Sequence, residues 1–154
     1  MEIIKMSVKE ITEVFDTLSE RFGFDKRIFY NFNYYKSSKG RIFIASKEIS
    51  EIVKAIKFVT LGFIFCRKNV SVKPSSNFIQ IFGKAATKNF IDVNNTLAMQ
   101  FILGYDLAAE NTKAEDGYVI IRYKNYSLGV GMLKENTIKN MLPKGKRMNI
   151  EINA

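Results

Sequence analysis

A cluster of cationic side chains lies in the segment NTIKNMLPKGKRM, which runs from residue 136 to residue 148 and contains no acidic residue. Its Pro143 and Gly145 predict a bend, and a bend presents charges and backbone amides to a phosphate better than a straight strand does. Arginine can bind phosphate oxygens through two parallel hydrogen bonds, whereas lysine acts as a point charge. The segment therefore predicts a site for a polyanion, with Asn140 pointing outward beside the cationic side chains of Lys139, Lys144, Lys146 and Arg147.

The cations of the whole chain are unevenly distributed. The formal net charge is +9 at pH 7. Residues 52–91 contain seven cations and no acid, and residues 117–150 contain seven cations against the single acid Glu135. Such segregation predicts a cationic surface, and nucleic acid is the polyanion that this kind of surface attracts most readily. The alternative is a solvated basic surface that serves solubility, and charge alone does not decide between the two.

Residues suited to catalysis are scarce. The chain contains no His, which removes the commonest general base and the commonest metal ligand. Its only cysteine, Cys66, lies in the apolar run GFIFCRK, and we expect a buried structural thiol because a nucleophilic cysteine needs an exposed, electropositive site. The carboxylates of Glu115 and Asp116 precede a glycine in a turn pattern, which is typical of solvated acids. We therefore expect no enzyme activity, no metal and no cofactor.

The composition predicts a cytoplasmic protein without a membrane partner. A single cysteine cannot form an internal disulfide, which fits a reducing compartment. No apolar run approaches the roughly 20 residues that a membrane span needs. At 154 residues and 47% hydrophobic, the chain has the size of one domain or of two small ones.

Hydrophobic periodicity predicts an α+β unit in residues 1–74. Apolar residues at spacings of three and four predict a helix from Ser7 to Phe22, in which Ser7 and Glu10 form a capping box and Gly23 marks the end. The runs that follow predict a β-hairpin in RIFYNFNYYKSSKGRIFIAS, a helix after Ser46 in KEISEIVKAIKF and a strand in GFIFCRK. Alternation in the first hairpin strand predicts one shared face for Ile28, Tyr30, Phe32 and Tyr34.

Residues 75–154 follow a different pattern. Pro74 interrupts regular structure, and Ser75 or Ser76 can cap a short helix that reaches Phe82. After it come a strand in NFIDV, a helix in NTLAMQFILG that ends at Gly104, and short strands in DLAAE, GYVIIRYK, SLGVGMLK, NTIKNM and RMNIEI. Short strands at such close spacing predict a small β-barrel with one helix across its mouth.

Three motifs occur in order in this second half. A helix runs into Gly-x-Asp-aliphatic at Gly104, a strand contains aliphatic-Gly-x-Gly from Leu128, and Lys-Gly-Lys closes the region at Lys144. Together they resemble a PUA domain, an RNA-binding module named after pseudouridine synthases and archaeosine transglycosylases. More narrowly, NFIQIFGKAATKN and YVIIRYKNYSLGVGMLKENTIKNMLPKG resemble the C-terminal part of the Sun/Nop family of RNA cytosine-5 methyltransferases, in its short stand-alone ribosome-biogenesis form.

This resemblance implies a fold but not the chemistry of the family's enzymes. It implies an α+β protein in which a small α/β pre-PUA unit, residues 1–74, is packed on a PUA-type β-barrel with one or two helices, residues 75–154. The family's enzymes carry a large S-adenosylmethionine domain and use two cysteines, one after Pro and one after Thr. In this chain the single cysteine follows Phe65, so the resemblance implies the RNA-holding part alone.

The resemblance also implies where RNA would bind. The loop at Gly104 lines the RNA groove of PUA domains, so Tyr105 is expected to stack on an unpaired base, with a core or rim aromatic as the alternative. Lys84 and Lys88 are expected near the same surface, with solvated turn lysines as the alternative. The predicted RNA-binding residues are Lys84, Lys88, Gly104, Tyr105, Lys139, Asn140, Lys144, Lys146 and Arg147.

Three functions remain open on this evidence. The first is a non-catalytic RNA-binding protein that recognises structured rRNA or tRNA in ribosome biogenesis or RNA modification. The second is a protein–protein adaptor in ribosome assembly, because the two-part plan also resembles small Nip-type assembly factors. The third is an RNA-binding subunit of a separate RNA methyltransferase. For the adaptor, the acids able to meet a basic ribosomal protein include Asp106, Glu110, Glu115 and Asp116.

Overall fold

The computed structural model describes residues 2–49, 52 and 61–149 of the chain. It divides into two units, Met1–Phe78 and Ile79–Ala154, each with one five-stranded β-sheet. The sequence-based division, after residue 74, lies inside the first of them. The predicted α+β class is confirmed. In the part of the chain that is described, no helix is both long enough and apolar enough to cross a membrane.

The first helix, α1 (Val8–Phe22), forms where the periodicity predicts it. The Ser7 hydroxyl accepts a hydrogen bond from the Glu10 amide at 3.3 Å, and the Glu10 carboxylate accepts one from the Ser7 amide at 3.0 Å. This predicted capping box satisfies two amides that would otherwise lack partners at the start of the helix. Gly23 ends α1 with a φ of 68°, the left-handed conformation that glycine adopts at low cost.

The first unit contains an antiparallel sheet whose strands lie side by side in sequence order. The second, third and fourth strands fall in the predicted hairpin and in the run GFIFCRK. The strands are β1 (Ile3–Lys5), β2 (Phe32–Ser37), β3 (Arg41–Ser46), β4 (Phe63–Lys68) and β5 (Val72–Pro74).

Aromatic side chains fill the core of this unit. The ring centroids of Phe65 and Phe78 are 4.5 Å apart, and those of Phe15 and Tyr34 are 5.0 Å apart in an edge-to-face arrangement. The buried hydroxyl of Tyr34 donates a hydrogen bond to the Phe29 carbonyl oxygen at 2.8 Å, so its desolvation is compensated. The abundance of Phe and Tyr is thus explained by packing in the first unit.

The first hairpin strand begins later than the alternation predicts. Residues Lys26–Phe29 form a 3₁₀ helix, so the prediction that Ile28 and Tyr30 continue the strand is wrong. The cause is local, because the Asp25 carboxylate accepts a hydrogen bond from the Arg27 amide at 3.0 Å and caps the turn. A single capping acid therefore outweighs a short alternating pattern.

Two short helical segments lie on either side of the undescribed stretch. Of the helix predicted in KEISEIVKAIKF, Lys47–Ile49 form a 3₁₀ turn, and residues 50–51 and 53–58 lie outside the described part of the chain. The next helix, α2 (Ser76–Phe82), forms as predicted. Of the two serines able to cap it, Ser75 does so, because its hydroxyl accepts a hydrogen bond from the Phe78 amide at 3.0 Å.

The second unit contains a mixed sheet that forms a half-barrel. Each of its strands falls in a run that the sequence predicts as a strand. They are β6 (Phe90–Asp92), β7 (Leu107–Ala108), β8 (Gly117–Tyr123), β9 (Tyr126–Lys134) and β10 (Thr137–Asn140). Their order is β6-β8-β9-β10-β7, in which β6 runs parallel to β8 and the other pairs are antiparallel.

One helix, α3 (Asn95–Ile102), packs against this sheet as predicted. The Asn94 side-chain oxygen accepts a hydrogen bond from the Leu97 amide at 2.9 Å and caps the helix. The fully buried ring of Phe101 anchors α3 in the core of the unit. That core consists of Phe101, Leu107, Ala109, Val119, Ile121, Leu133, Ile138 and Leu142.

The strand predicted in RMNIEI does not begin where expected. Residues 147–149 are irregular, and residues 150–152 lie outside the described part of the chain. The Arg147 amide donates a hydrogen bond to the Lys144 carbonyl oxygen at 3.2 Å, and the Met148 amide donates to the Ile102 carbonyl oxygen at 2.9 Å. These bonds hold the segment to a turn and to the end of α3, so its amides are not used in a strand ladder.

Candidate nucleic-acid interface

The loop that leaves α3 is shaped by a glycine and an arginine. Gly104 has a φ of 98°, which residues with a side chain rarely adopt. A Cβ atom added at Gly104 would lie 2.5 Å from Cδ and 2.8 Å from Nε of Arg147. The Arg147 side chain therefore lies directly against the backbone of the loop, and only a glycine permits this approach.

Asn140 joins this loop to the end of β10. Its side-chain amide donates to the carbonyl oxygens of Phe101 at 2.7 Å and Tyr105 at 2.9 Å, and its side-chain oxygen accepts from the Leu142 amide at 2.9 Å. Its backbone amide donates to the Asp106 carboxylate at 2.8 Å. Asn140 is only 6% exposed, so the expectation that it points outward is wrong. Its polar atoms are needed to hold the loop, since burying them without partners would be costly.

The predicted bend after Pro143 is a 3₁₀ turn, Lys144–Lys146. Arg147 follows it and is half-buried, with its Nε donating to the Leu142 carbonyl oxygen at 3.0 Å. Among the described residues, neither Nη group of Arg147 donates a hydrogen bond. The guanidinium is thus fixed along one edge, and the Nη groups remain available for a bidentate contact with an anion.

A glutamine that the sequence analysis did not single out connects this turn to the sheet. The Lys146 Nζ donates to Gln80 Oε1 at 2.9 Å, and Gln80 Nε2 donates to the Leu128 carbonyl oxygen at 3.0 Å. Gln80 lies on the last turn of α2, which runs directly into the 3₁₀ turn Gly83–Ala85. No local pattern marks an exposed glutamine on a short helix, so only the fold could reveal this link.

The turn that carries Lys84 is held against the same strand. A Cβ atom at Gly83 would lie 2.8 Å from Oγ and 3.0 Å from Cβ of Ser127, so only a glycine allows this packing on β9. Lys84 itself is exposed. Tyr105 is 63% exposed while its carbonyl oxygen is held by Asn140. We name the surface formed by Lys84, Tyr105, Lys144, Lys146 and Arg147 the basic strip.

Two of the predicted residues lie on other features. Lys139 is exposed on β10 between the buried residues Ile138 and Asn140, so its side chain points to the opposite face of the strand from theirs. Lys88 lines a cavity of about 540 Å³. The acids Glu110 and Glu115 line the same cavity, which therefore carries both signs of charge.

Cys66 has the environment of a structural thiol, as predicted. It is fully buried in β4. Burial raises the pKa of the Cys66 thiol to about 12, so the thiol stays protonated at neutral pH. A protonated, inaccessible thiol is a poor nucleophile.

Comparison with known protein families finds one match in the second unit. Residues 88–148 match the family described as the methyltransferase RsmF PUA domain. Ribosomal RNA small subunit methyltransferase F of Psychromonas ingrahamii is 25% identical over 101 residues, which are 62% of this chain and 21% of that enzyme. The enzyme of the same name from Aeromonas hydrophila is 35% identical over 63 residues, 41% of this chain and 13% of the enzyme. The chain thus spans only a small fraction of the length of these relatives.

Two solved structures share the fold more broadly. A conserved PUA domain protein from Thermoplasma acidophilum has a TM-score of 0.56 at 16% identity, over 85% of this chain and 79% of that chain. A hypothetical protein from Pyrococcus horikoshii has a TM-score of 0.52 at 15% identity, over 85% of this chain and 81% of that chain. At these identities the likeness is one of fold.

Proposed function

We propose that this chain, a PUA-domain protein resembling the C-terminal part of the Sun family, is a non-catalytic RNA-binding protein that recognises structured rRNA or tRNA. Its setting is ribosome biogenesis or RNA modification. The relatives that it resembles are named as ribosomal RNA methyltransferases, and they supply the rRNA context. The observation that carries the proposal is the basic strip.

The basic strip has the parts that an RNA backbone needs. Lys84 and Lys144 are exposed point charges. The Nη groups of Arg147 suit a phosphate, since a guanidinium bonds two phosphate oxygens at once. Lys146 is positioned by Gln80, whose neutral amide adds no opposing charge. Such contacts fix RNA by its phosphates and carry little sequence information.

Tyr105 supplies a contact of a different kind. Its ring is 63% exposed, while Asn140 fixes its backbone. A tyrosine ring presented in this way can stack on an unpaired base beside a structured element. The Asp106 carboxylate adjoins the loop, where it accepts the Asn140 backbone amide and so serves the loop's shape.

The proposal excludes catalysis by this chain on two grounds. The curated relatives are enzymes, but this chain covers only 21% and 13% of the two compared above. The matched family region is a PUA domain, a binding module. The one cysteine is buried with a raised pKa and cannot serve as the family's nucleophile. RNA binding is the property that these features share.

The proposal is tested by filter binding of the full chain to a structured RNA, with unfractionated tRNA and a small-subunit rRNA fragment as probes. The variant changes Lys144, Lys146 and Arg147 together to Ala. We expect affinity to fall on the order of a hundredfold at low salt, similarly for both probes, because phosphate contacts are lost. A matched control changes Lys5, Lys9 and Lys39, exposed lysines of the first unit, to Ala and should bind like the wild type. Equal affinities for both triple variants would remove the basic strip as the RNA site.

A second candidate is an RNA-binding subunit that works beside a separate methyltransferase. It is favoured by the relatives, in which the matched segment is a small part of a methyltransferase. Affinity purification followed by nuclease treatment distinguishes the two. A methyltransferase retained after nuclease supports the subunit, and ribosomal proteins retained instead support an adaptor in ribosome assembly. Loss of all partners with the RNA supports independent RNA binding.

A further inference from the structure

Two tyrosines face each other at the tip of the hairpin formed by β8 and β9. Tyr123 and Tyr126 are directly paired across the two-residue turn Lys124-Asn125, so their side chains lie on the same face of the hairpin. Tyr126 is 69% exposed, more than Tyr105. The sequence contains the signal in YKNY, because two residues that flank a two-residue turn must pair across it.

The tip carries positive charge beside these rings. The Lys124 Nζ lies 5.2 Å from the centroid of the Tyr123 ring, within reach of a cation–π contact. Residues 117–134 contain no acid. The nearest cation along the strand, Arg122, is already used, since its Nε donates to Asp92 at 3.1 Å and its guanidinium lies 3.3 Å from the Phe90 ring centroid. Lys124 therefore carries the charge of the tip.

The hairpin continues directly from the basic strip. Gln80 bonds the Leu128 carbonyl oxygen, and Gly83 packs on Ser127, so both contacts of the strip reach residues that follow Tyr126 at once. An RNA chain lying along the strip would extend toward the tip. Tyr123 is half-buried and supports the hairpin, whereas most of the Tyr126 ring is accessible to a ligand.

We infer that Tyr126 is a base-stacking residue for an unpaired RNA segment that adjoins the structured element, with Lys124 on a neighbouring phosphate. The inference rests on the proposed function and extends it, because it assigns a single-stranded flank as part of the ligand. Every base has a π-face, so stacking on Tyr126 tolerates any sequence. Lys124 adds a salt-dependent contact that holds the backbone next to the stacked base.

The absence of Trp from the chain allows a direct test. Tyr126→Trp places one tryptophan at the tip, and Tyr30→Trp places one at an exposed tyrosine of the first unit as a matched control. The probe is an RNA stem-loop flanked by unpaired adenosines, and the comparison probe is the same stem-loop with blunt ends. We expect the flanked probe to quench the emission of the Tyr126→Trp variant saturably and to leave that of the Tyr30→Trp variant unchanged. Unchanged emission of the Tyr126→Trp variant at a concentration where anisotropy shows bound RNA would overturn the inference.

Affinity of substituted chains gives a second readout that does not depend on fluorescence. Tyr126→Ala should weaken binding of the flanked probe about fivefold or more and leave the blunt probe unaffected, whereas Tyr126→Phe keeps the ring and should bind both like the wild type. Circular dichroism checks that the Ala variant folds. If the wild type binds neither probe, the proposed function itself is contradicted and the inference falls with it. If the wild type binds both and Tyr126→Ala changes neither, only the inference is wrong.

Discussion

The two units give their cations different partners. In the first unit, cations are paired with carboxylates: Lys26 Nζ lies 2.7 Å from Asp16 Oδ1, and Lys68 Nζ lies 3.0 Å from Glu13 Oε2. Each pair cancels charge locally, and such exposed pairs contribute little to stability. These lysines of the first unit are therefore neutralised on its own surface.

The basic strip of the second unit holds its cations with neutral groups. Lys146 donates to the side-chain amide oxygen of Gln80, and Arg147 donates to the backbone carbonyl oxygen of Leu142. A neutral acceptor fixes the position of a cation and leaves its net charge in place. The comparison teaches that the partner of a lysine, more than the number of lysines, distinguishes a solvated surface from a site for a polyanion.

The largest effect should come from the neutral frame that holds the strip. Asn140→Ala removes three side-chain hydrogen bonds at a buried position, and we expect the free energy of unfolding to fall by about 2–4 kcal/mol. Lys68→Ala, which breaks an exposed ion pair in the first unit, should cost less than about 1 kcal/mol. Urea unfolding followed by circular dichroism measures both. Equal losses would show that the frame matters no more than a surface pair.

A smaller effect should separate two glycines that both have a positive φ. Gly23→Ala and Gly104→Ala should each lower the free energy of unfolding by about 1 kcal/mol through backbone strain. Only Gly104→Ala also displaces Arg147, whose Cδ would lie 2.5 Å from the new Cβ. RNA affinity measured by filter binding should therefore fall several-fold for Gly104→Ala and stay unchanged for Gly23→Ala. Equal affinities would mean that the position of Arg147 is irrelevant to RNA.

A charge introduced into the strip should make it behave like the first unit. Gln80→Glu places a carboxylate next to Lys146 Nζ with almost no change in size, and we expect RNA affinity to fall about threefold to tenfold because one cation is neutralised. Gln80→Met removes the neutral bonds without adding charge and serves as the control. A Glu variant that binds no worse than the Met variant would show that neutral partners are not what keeps the strip cationic.

The smallest effect concerns acid stability in the first unit. A hydrogen bond from Lys36 holds the pKa of the Glu10 carboxyl at about 2, below its usual value near 4.5. Because the folded-state pKa is lowered, this stabilisation is complete above pH 4.5 and is lost as the pH falls toward 2. Glu10→Gln should flatten the decline in stability over that interval, as measured by urea unfolding at a series of pH values. Wild-type and variant curves that decline in parallel would show that Glu10 makes no contribution.

Local signals predicted most of the fold. The spacing of apolar residues and the Ser7–Glu10 capping box predict α1, and short apolar runs predict the strands of both sheets. The 3₁₀ helix after Asp25 was missed because a capping acid was weighed less than an alternating run. Elements follow from neighbours along the chain, so a sequence contains much of the information that forms them.

The site was predicted less completely because its contacts are long-range. Asn140 is indistinguishable in sequence from a solvated turn residue, and its role comes from partners in α3 and its following loop. Gln80 is joined to Lys146 across 66 positions of sequence. Composition and motif indicated a cationic RNA site, but which polar residues face outward depends on the fold.

The salt dependence of RNA binding tests the central claim most directly. Four cations of the basic strip, Lys84, Lys144, Lys146 and Arg147, should release counterions, so log affinity against log salt should have a slope of about −3 to −4 for the wild type. Changing the last three to Ala should reduce the slope to about −1, while the Lys5, Lys9 and Lys39 control keeps the wild-type slope. Equal slopes for the wild type and the strip variant would contradict the account.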